Sequence, residues 1–172
     1  MTENRTSTCQ QQGTGWEWLL QPLLDLPGVS GAVIAAQDGL KVAYTPRRPD
    51  SGTGIDEDLA DQTASVISGL HGLARGLGAT LGTWNGLQLA LLKDAGWSLF
   101  VTSAGEGVLE GTPLGLGMVM RPGTVQCTLG VLTRPGADEG AVGHEMRQMV
   151  NRLGHVLRTQ ARRAGTVTDG GN

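Results

Sequence analysis

Hydrophobic residues along the chain recur at two spacings, one typical of helices and one typical of strands. Apolar positions three and four residues apart predict a first helix from about Gly15, a long helix from about Asp56 and a last helix after Asp138. A Thr14–Glu17 capping box opens the first helix, and Pro22 is expected to kink or interrupt it. Strand-like runs lie between the helices, at about 29–36, 40–45, 87–92, 97–104 and 127–133.

Turn sequences join four of these strands into two hairpins. Asp38-Gly39 separates the first pair, and residues 93–96 separate the second. The runs 29–36 and 127–133 are almost entirely apolar, which predicts strands that are covered on both faces. The two-residue period of a strand places Leu87, Leu89 and Leu91 on one face. Between strands, residues 105–126 are rich in Gly and Pro and predict either a long loop or an added hairpin.

The long helix carries two stripes, one of large side chains and one of very small ones. The stripe of large apolar side chains predicts one buried face and consists of Leu59, Val66, Leu70, Leu73, Leu77 and Leu81. The second stripe consists of very small residues and contains Gly69, Gly72 and Gly76. Together these glycines lower the stability of the helix by about 2–3 kcal/mol relative to alanine. Packing must offset this cost. The small stripe permits close approach of another backbone, which is either the chain's own sheet or the same helix of a second subunit.

Composition and charge narrow the range of functions that the chain can have. With 172 residues, the chain has the size of one domain, and its net charge of −3 gives no basic field for nucleic acid. No apolar run is long enough to span a membrane, and the two cysteines, Cys9 and Cys127, suggest neither a disulfide framework nor a metal site. We therefore expect a cytoplasmic protein, with disordered tails at 1–13 and 164–172.

Motifs for catalysis or cofactor binding are absent from the sequence. No phosphate-binding loop of the form GxxxxGK[ST] occurs, so the chain is not expected to be a GTPase, and GLG at 76–78 and 115–117 are only fragments of a dinucleotide fingerprint. His144 and His155 would lie about 16 Å apart along a helix, too far to hold one metal ion. We predict no catalytic, cofactor-binding or metal-binding residues, and hence a protein that is not an enzyme.

Several local patterns, in this order and spacing, resemble the roadblock / dynein-light-chain family over residues 14–163. They are LLDLPGVSGAVIAAQDGL at 23–40, ASVISGLHGLARGLG at 64–78, WSLFVTSAGEG at 97–107 and GVLTRPGADEGAVGHEM at 130–146. The resemblance implies a mixed α/β fold: a five-stranded antiparallel sheet with the long helix on one face and the N- and C-terminal helices on the other. Residues 105–126 depart from the family pattern, in which a much shorter turn joins the strands.

The resemblance also implies a function. Family dimers pair the long helix and the adjacent strand of each subunit, which would place Gly69, Gly72 and Gly76, with Leu87, Leu89 and Leu91, at the dimer contact. Bacterial members act with a small Ras-like GTPase, so we expect a non-catalytic homodimeric regulator or adaptor that modulates the GTPase's nucleotide cycle or location. The alternative is a scaffold subunit of a signalling complex with no effect on GTP turnover.

Partners and contact residues follow from the same resemblance. Besides a second copy of itself and the GTPase, it allows a sensor-kinase complex as a partner and recruitment to a membrane by a partner. Neither nucleic-acid binding nor direct membrane insertion is expected. The side chains predicted to contact a partner are Ser68, His71 and Arg75.

Overall fold

The computed structural model describes residues 17–50, 52–108 and 124–165 of the chain. Thr14 of the predicted capping box, the predicted tail 1–13 and residues 166–172 lie outside the described residues, and the last helix continues to Gly165. The order of helices and strands is the predicted one. The elements are α1 (Glu17–Leu24), β1 (Val29–Ala36), β2 (Lys41–Tyr44), α2 (Glu57–Leu81), β3 (Ala90–Lys93), β4 (Ser98–Val108), β5 (Thr124–Thr133) and α3 (Glu139–Gly165).

The strands form one antiparallel sheet in the order β2-β1-β5-β4-β3. Long pairings hold its centre: β5 runs beside β1, with Ala36 opposite Cys127, and beside β4 on its other side. The predicted hairpin between β1 and β2 is confirmed. In its turn, Gly39 has a φ of 87° and donates its N–H to the Ala36 carbonyl at 3.0 Å.

Helices cover both faces of the sheet. Along β1, Ala32 and Ile34 face the core shared with α1 and α3, whereas Val33 and Ala35 face the core beneath α2. The sheet is therefore the middle of three layers, as the almost wholly apolar sequences of β1 and β5 indicated. This arrangement confirms the predicted fold class, with the long helix on one face and the terminal helices on the other.

The core on the α1 and α3 side is built from large side chains. Helix α1 continues through Pro22 and buries its leucines. Helix α3 begins after Asp138, whose Oδ1 accepts the N–H groups of Gly140 and Ala141 at 2.9 and 3.1 Å. Its apolar positions are buried as the helical spacing predicted. The main members of this core are Leu19, Leu20, Leu23, Phe100, Leu129, Val142, Met146, Met149 and Leu153.

The contact between α2 and the sheet is made mainly by small side chains. Helix α2 begins after Asp56, whose Oδ1 accepts the Leu59 N–H at 2.9 Å, and ends at Gly82, whose φ is 68°. A Cβ placed on Gly130 of β5 would lie 2.7 Å from Cγ2 of Ile67, so helix and strand approach closely at this point. The buried residues of α2 are Ala60, Thr63, Ala64, Ile67 and His71.

The prediction that the large apolar stripe of α2 forms its buried face is wrong. Small residues let the helix lie close to β1 and β5, and a row of leucines on that side would hold it further away. Within the stripe, only Leu70 is partly buried against the sheet. The exposed members are Leu59, Val66, Leu73, Leu77 and Leu81.

The segment that leads into β3 also differs from its prediction as a strand. Pairing with β4 begins only at Ala90. Before it, the Ser103 N–H donates to the Leu87 carbonyl at 2.8 Å, and the Leu87 N–H donates to Oγ of Ser103, also at 2.8 Å. Leu87 packs into the core beneath α2, whereas Leu89 and Leu91 are exposed. The three leucines therefore do not share one face.

Both ends of the predicted irregular segment 105–126 are strand. Strand β4 extends to Val108 and β5 begins at Thr124, directly opposite it. The long β4–β5 pairing thus includes residues that the Gly content had suggested were outside the sheet. The predicted loop or added hairpin between these strand ends, residues 109–123, lies outside the described residues.

Candidate protein-binding surface

The second half of α2 receives little support from the sheet. Buried side chains occur up to His71, but none of residues 72–81 is buried. In this half, Leu73, Leu77 and Leu81 are 75%, 62% and 65% exposed. Large apolar side chains at one-turn spacing form a continuous stripe, and contiguous exposed apolar surface is typical of an interaction site.

The glycines of α2 lie beside this stripe and face away from the sheet. Successive residues of an α-helix are rotated by about 100° around its axis. On this geometry the side of α2 that carries Gly69, Gly72 and Gly76 is opposite the side of Ile67, which faces the sheet. The exposed leucines lie on the flank between these two sides. A Cβ added to any of the three glycines would meet nothing within 4 Å. The alternative in which they pack on the chain's own sheet is therefore wrong. We call the exposed leucines, Val66 and these glycines the α2 outer surface.

The flank of α2 that faces the β1–β2 hairpin is polar and already paired. Ser68 donates its hydroxyl to the Gln37 carbonyl at 2.7 Å. Lys41 Nζ lies 2.9 Å from Asp61 Oδ1 and 3.2 Å from Glu57 Oε1. Burial alone would lower the pKa of Lys41, but the hydrogen bonds and charges of the two carboxylates outweigh it and raise that pKa. The leucines lie on the other flank, towards β4 and β3.

Strand β3 forms an edge of the sheet on the same side. Within the part of the chain that the structure describes, β4 is its only pairing partner. Leu89 and Leu91 are exposed here, and so is Trp97 in the turn between the two strands. An edge strand offers unpaired backbone donors and acceptors to another chain. The α2 outer surface and the β3 edge are therefore two apolar regions available to a partner.

The residues predicted to contact a partner have different environments. Arg75 is exposed, and Ser68 is half-buried with its hydroxyl bonded to the hairpin. His71 is only 3% exposed, so its side chain lies beneath the surface and not on it. Of the residues predicted at the dimer contact, Gly69, Gly72, Gly76, Leu89 and Leu91 are exposed and Leu87 is partly buried.

His71 lies at a small open cavity that no pattern in the sequence predicted. Its ring meets the ring of Trp84 edge to face, with centroids 5.5 Å apart. Trp84 in turn packs on α2 at Gly78, where a Cβ would lie 2.7 Å from Cε3 of the indole. The cavity has a volume of about 300 Å³. Its lining includes His71, Trp84, Asn85, Ser103, Gln126 and Cys127.

Burial keeps the ionisable groups of this cavity uncharged. Desolvation, with a smaller contribution from the charge of Arg75, lowers the pKa of His71 below its ordinary value of 6.5. Desolvation, with Asp38 as the second cause, raises the pKa of the Cys127 thiol to about 11. Among the described residues, Nδ1 of His71 has no hydrogen-bond partner. An unpaired buried polar atom of this kind costs about 1–3 kcal/mol.

The described residues form neither a metal site nor a helix that could span a membrane. Across 17–50, 52–108 and 124–165, no three His, Cys, Asp or Glu side chains come together as a metal site would require. The helices in the same ranges are too short or too polar to cross a membrane.

An open five-stranded antiparallel sheet, with one long helix on one face and the terminal helices on the other, defines a roadblock-type domain. The sequence profile of the Roadblock/LC7 domain matches residues 16–109, and the chain belongs to this family.

Solved structures share the fold over most of the chain. A Roadblock/LC7 domain from Streptomyces avermitilis is 26% identical, with a TM-score of 0.62 over 83% of this chain and 97% of that one. MglB from Myxococcus xanthus is 14% identical, with a TM-score of 0.60 over 92% and 94%. The gliding protein MglB from Thermus thermophilus is 17% identical, with a TM-score of 0.58 over 83% and 87%. No curated protein sequence matches the chain significantly.

The buried, neutral His71 predicts a specific pH dependence of stability. Because its pKa is lower in the folded than in the unfolded chain, the unfolded chain binds the proton first as the pH falls. The stability that His71 contributes is thus complete above about pH 6.5 and is lost progressively below it. In urea unfolding followed from pH 8 to pH 5, we expect His71→Phe to lose free energy of unfolding less steeply than the wild type.

The matched control for this experiment is His144→Phe, which removes an exposed histidine on α3. The slope of His71→Phe is compared with the slope of this variant, which reports what the loss of one histidine from the surface does. Equal slopes in the wild type and His71→Phe would show that His71 titrates in the folded chain as it does in the unfolded one.

Proposed function

We propose that the chain is a non-catalytic homodimeric regulator or adaptor that binds a small Ras-like GTPase and changes its nucleotide cycle or its location. The observation that carries this proposal is the α2 outer surface, a helix face whose leucines and glycines are exposed among the described residues. Membership of the Roadblock/LC7 family supports the choice of a GTPase as partner.

Energetic arguments support self-association through α2. Three internal glycines cost about 2–3 kcal/mol of helix stability, and no contact within the described chain requires them. Complete burial of one leucine contributes about 1.5–3 kcal/mol, so covering Leu73, Leu77 and Leu81 more than offsets that cost. Glycines beside the leucines allow two helix backbones to approach closely. An MglB structure with a tetrameric arrangement has the same fold.

The β3 edge would extend the same interface. Its open side can pair with the β3 edge of a second copy, since a twofold axis places the same strand on both sides of the contact. Such pairing would make one sheet from two chains. The exposed indole of Trp97 lies at the end of this edge.

A dimer of this kind could regulate a GTPase without supplying catalytic groups. Binding one nucleotide-dependent conformation of the switch loops more tightly shifts the GTPase towards it, and a tenfold preference corresponds to about 1.4 kcal/mol. Arg75 is exposed on the polar flank of α2, where Ser68 also lies. We assign these two residues to the GTPase contact and leave the leucines to the dimer.

Charge placed on the α2 outer surface should abolish the dimer. We expect Leu73→Glu combined with Leu77→Glu to sediment as a folded monomer at concentrations where the wild type is dimeric, because both carboxylates would be buried without partners. Trp18→Ser is the control, since it removes an exposed large side chain from α1 on the other face of the sheet. A monomeric wild type, or a dimer that tolerates both glutamates, would refute this interface.

Alanine at the glycines should separate helix stability from dimer stability. In Gly69→Ala, Gly72→Ala and Gly76→Ala combined, each methyl improves the isolated helix by about 0.5–1 kcal/mol. The same methyls would hold two helices apart, so the dimer dissociation constant should rise at least about tenfold. Gly143→Ala on α3, where a Cβ also meets nothing within 4 Å, is the control. Unchanged dissociation would mean that the glycines do not face a second helix.

The GTPase contact can be measured with the Ras-like GTPase encoded nearest to this gene in its genome. We expect the wild-type chain to bind the GTP- and GDP-loaded forms with different affinity and to change the rate of GTP hydrolysis or nucleotide release. Arg75→Glu should weaken binding without affecting the dimer. Binding with unchanged nucleotide turnover would favour a scaffold, and absence of binding to both forms would refute the proposed function.

A further inference from the structure

The cavity at His71 has features of a small-molecule site that the proposed protein contacts do not use. It lies where α2, residues 84–86, β4 and β5 meet, and its volume of about 300 Å³ is at the lower end of the range for ligand pockets. The His71 side chain that lines it is almost wholly buried, and its Nδ1 is unpaired among the described residues. Buried unpaired atoms in native proteins commonly mark a site for a ligand or water.

Hydrogen-bonding groups of several kinds converge on this space. A neutral imidazole offers one donor and one acceptor, whichever tautomer is present. Ser103 accepts the Leu87 N–H with its Oγ and can still donate its own hydroxyl proton. Asn85, an exposed residue at the cavity, brings a carboxamide with both donor and acceptor groups. A ligand that satisfies these groups must itself carry donors and acceptors.

Charge is absent from the lining. None of the described residues around the cavity is Asp, Glu, Lys or Arg, and the Cys127 thiol, with a pKa of about 11, is protonated at neutral pH. A phosphate or carboxylate would find no cation in this lining, because the Arg75 charge that acts on His71 belongs to an exposed side chain outside it. Its lost hydration would therefore be poorly compensated. Trp84 adds an aromatic surface beside His71. The surroundings thus favour an uncharged, aromatic molecule with polar edges.

We infer that the His71 cavity binds an uncharged nitrogen heterocycle of the nucleobase type, as the free base or the nucleoside. Carboxamide side chains pair with the polar edges of such rings, and aromatic side chains contact their faces. In this arrangement Asn85 and the imidazole of His71 bond the edge of the heterocycle, and Trp84 packs against the ring. This inference does not depend on the dimer or on the GTPase.

The full-length chain alone is sufficient to test the site. Adenosine, guanosine, cytidine and uridine, together with their 5′-monophosphates, are titrated into ¹⁵N-labelled protein and followed by NMR. We expect saturable binding of at least one nucleoside, with shifts at residues 71, 84–86, 103 and 126–127 and at the ring nitrogens of His71. The matching monophosphate should bind no more tightly than the nucleoside.

Two variants locate the binding. His71→Phe keeps an aromatic ring but removes both nitrogens, and Asn85→Ala removes an exposed carboxamide, so it leaves the fold intact even if the first variant does not fold. Each should weaken nucleoside binding at least about tenfold, whereas His144→Phe should not change it. If no nucleoside binds saturably, if the monophosphates bind better, or if both variants bind as the wild type does, the inference is wrong.

Discussion

The close approach of α2 to the sheet determines which surfaces of the helix are buried and which remain exposed. Ala60, Ala64 and Ile67 meet β1 and β5, and the absence of a side chain at Gly130 lets Ile67 enter the strand surface. A helix that packs through such small side chains contacts the sheet closely only along the length where they occur. Beyond His71 no further side chain of α2 is buried, so half of the helix projects over the sheet with its leucines in water.

This mode of packing explains why the sequence predicted the helix but not which of its faces contacts the sheet. Helical periodicity shows that large apolar residues share a stripe, and the same pattern results whether the stripe is covered by the chain's own sheet or by another protein. From the pattern alone, the stripe with the largest side chains is the one predicted to form the intramolecular face. In the structure the sheet instead packs against a less conspicuous face of alanine, threonine and isoleucine, and Leu73, Leu77 and Leu81 are exposed.

Features encoded by short segments were predictable, and those that join distant segments were not. The Asp38-Gly39 turn, the apolar strand 29–36 and the start of α3 after Asp138 depend on neighbours in sequence, and all three occur as predicted. Leu87 differs, because its backbone is bonded to Ser103 in another strand and its side chain packs against the core beneath α2. The His71 cavity needs residues from α2, the segment before β3, β4 and β5, and its only local signal was one histidine among small residues.

The cavity and the α2 outer surface are connected through Trp84. Its indole packs on Gly78 and against the His71 ring, and so supports the half of α2 that the sheet does not hold. A ligand beside Trp84 and a protein on Leu73 and Leu77 would therefore both act on the same length of helix. If either one favours a particular position of that helix, each must change the affinity of the other by the same factor, because linkage between two binding events is reciprocal. The projecting half of α2 thus offers a physical route by which a small molecule could control the assembly of this chain.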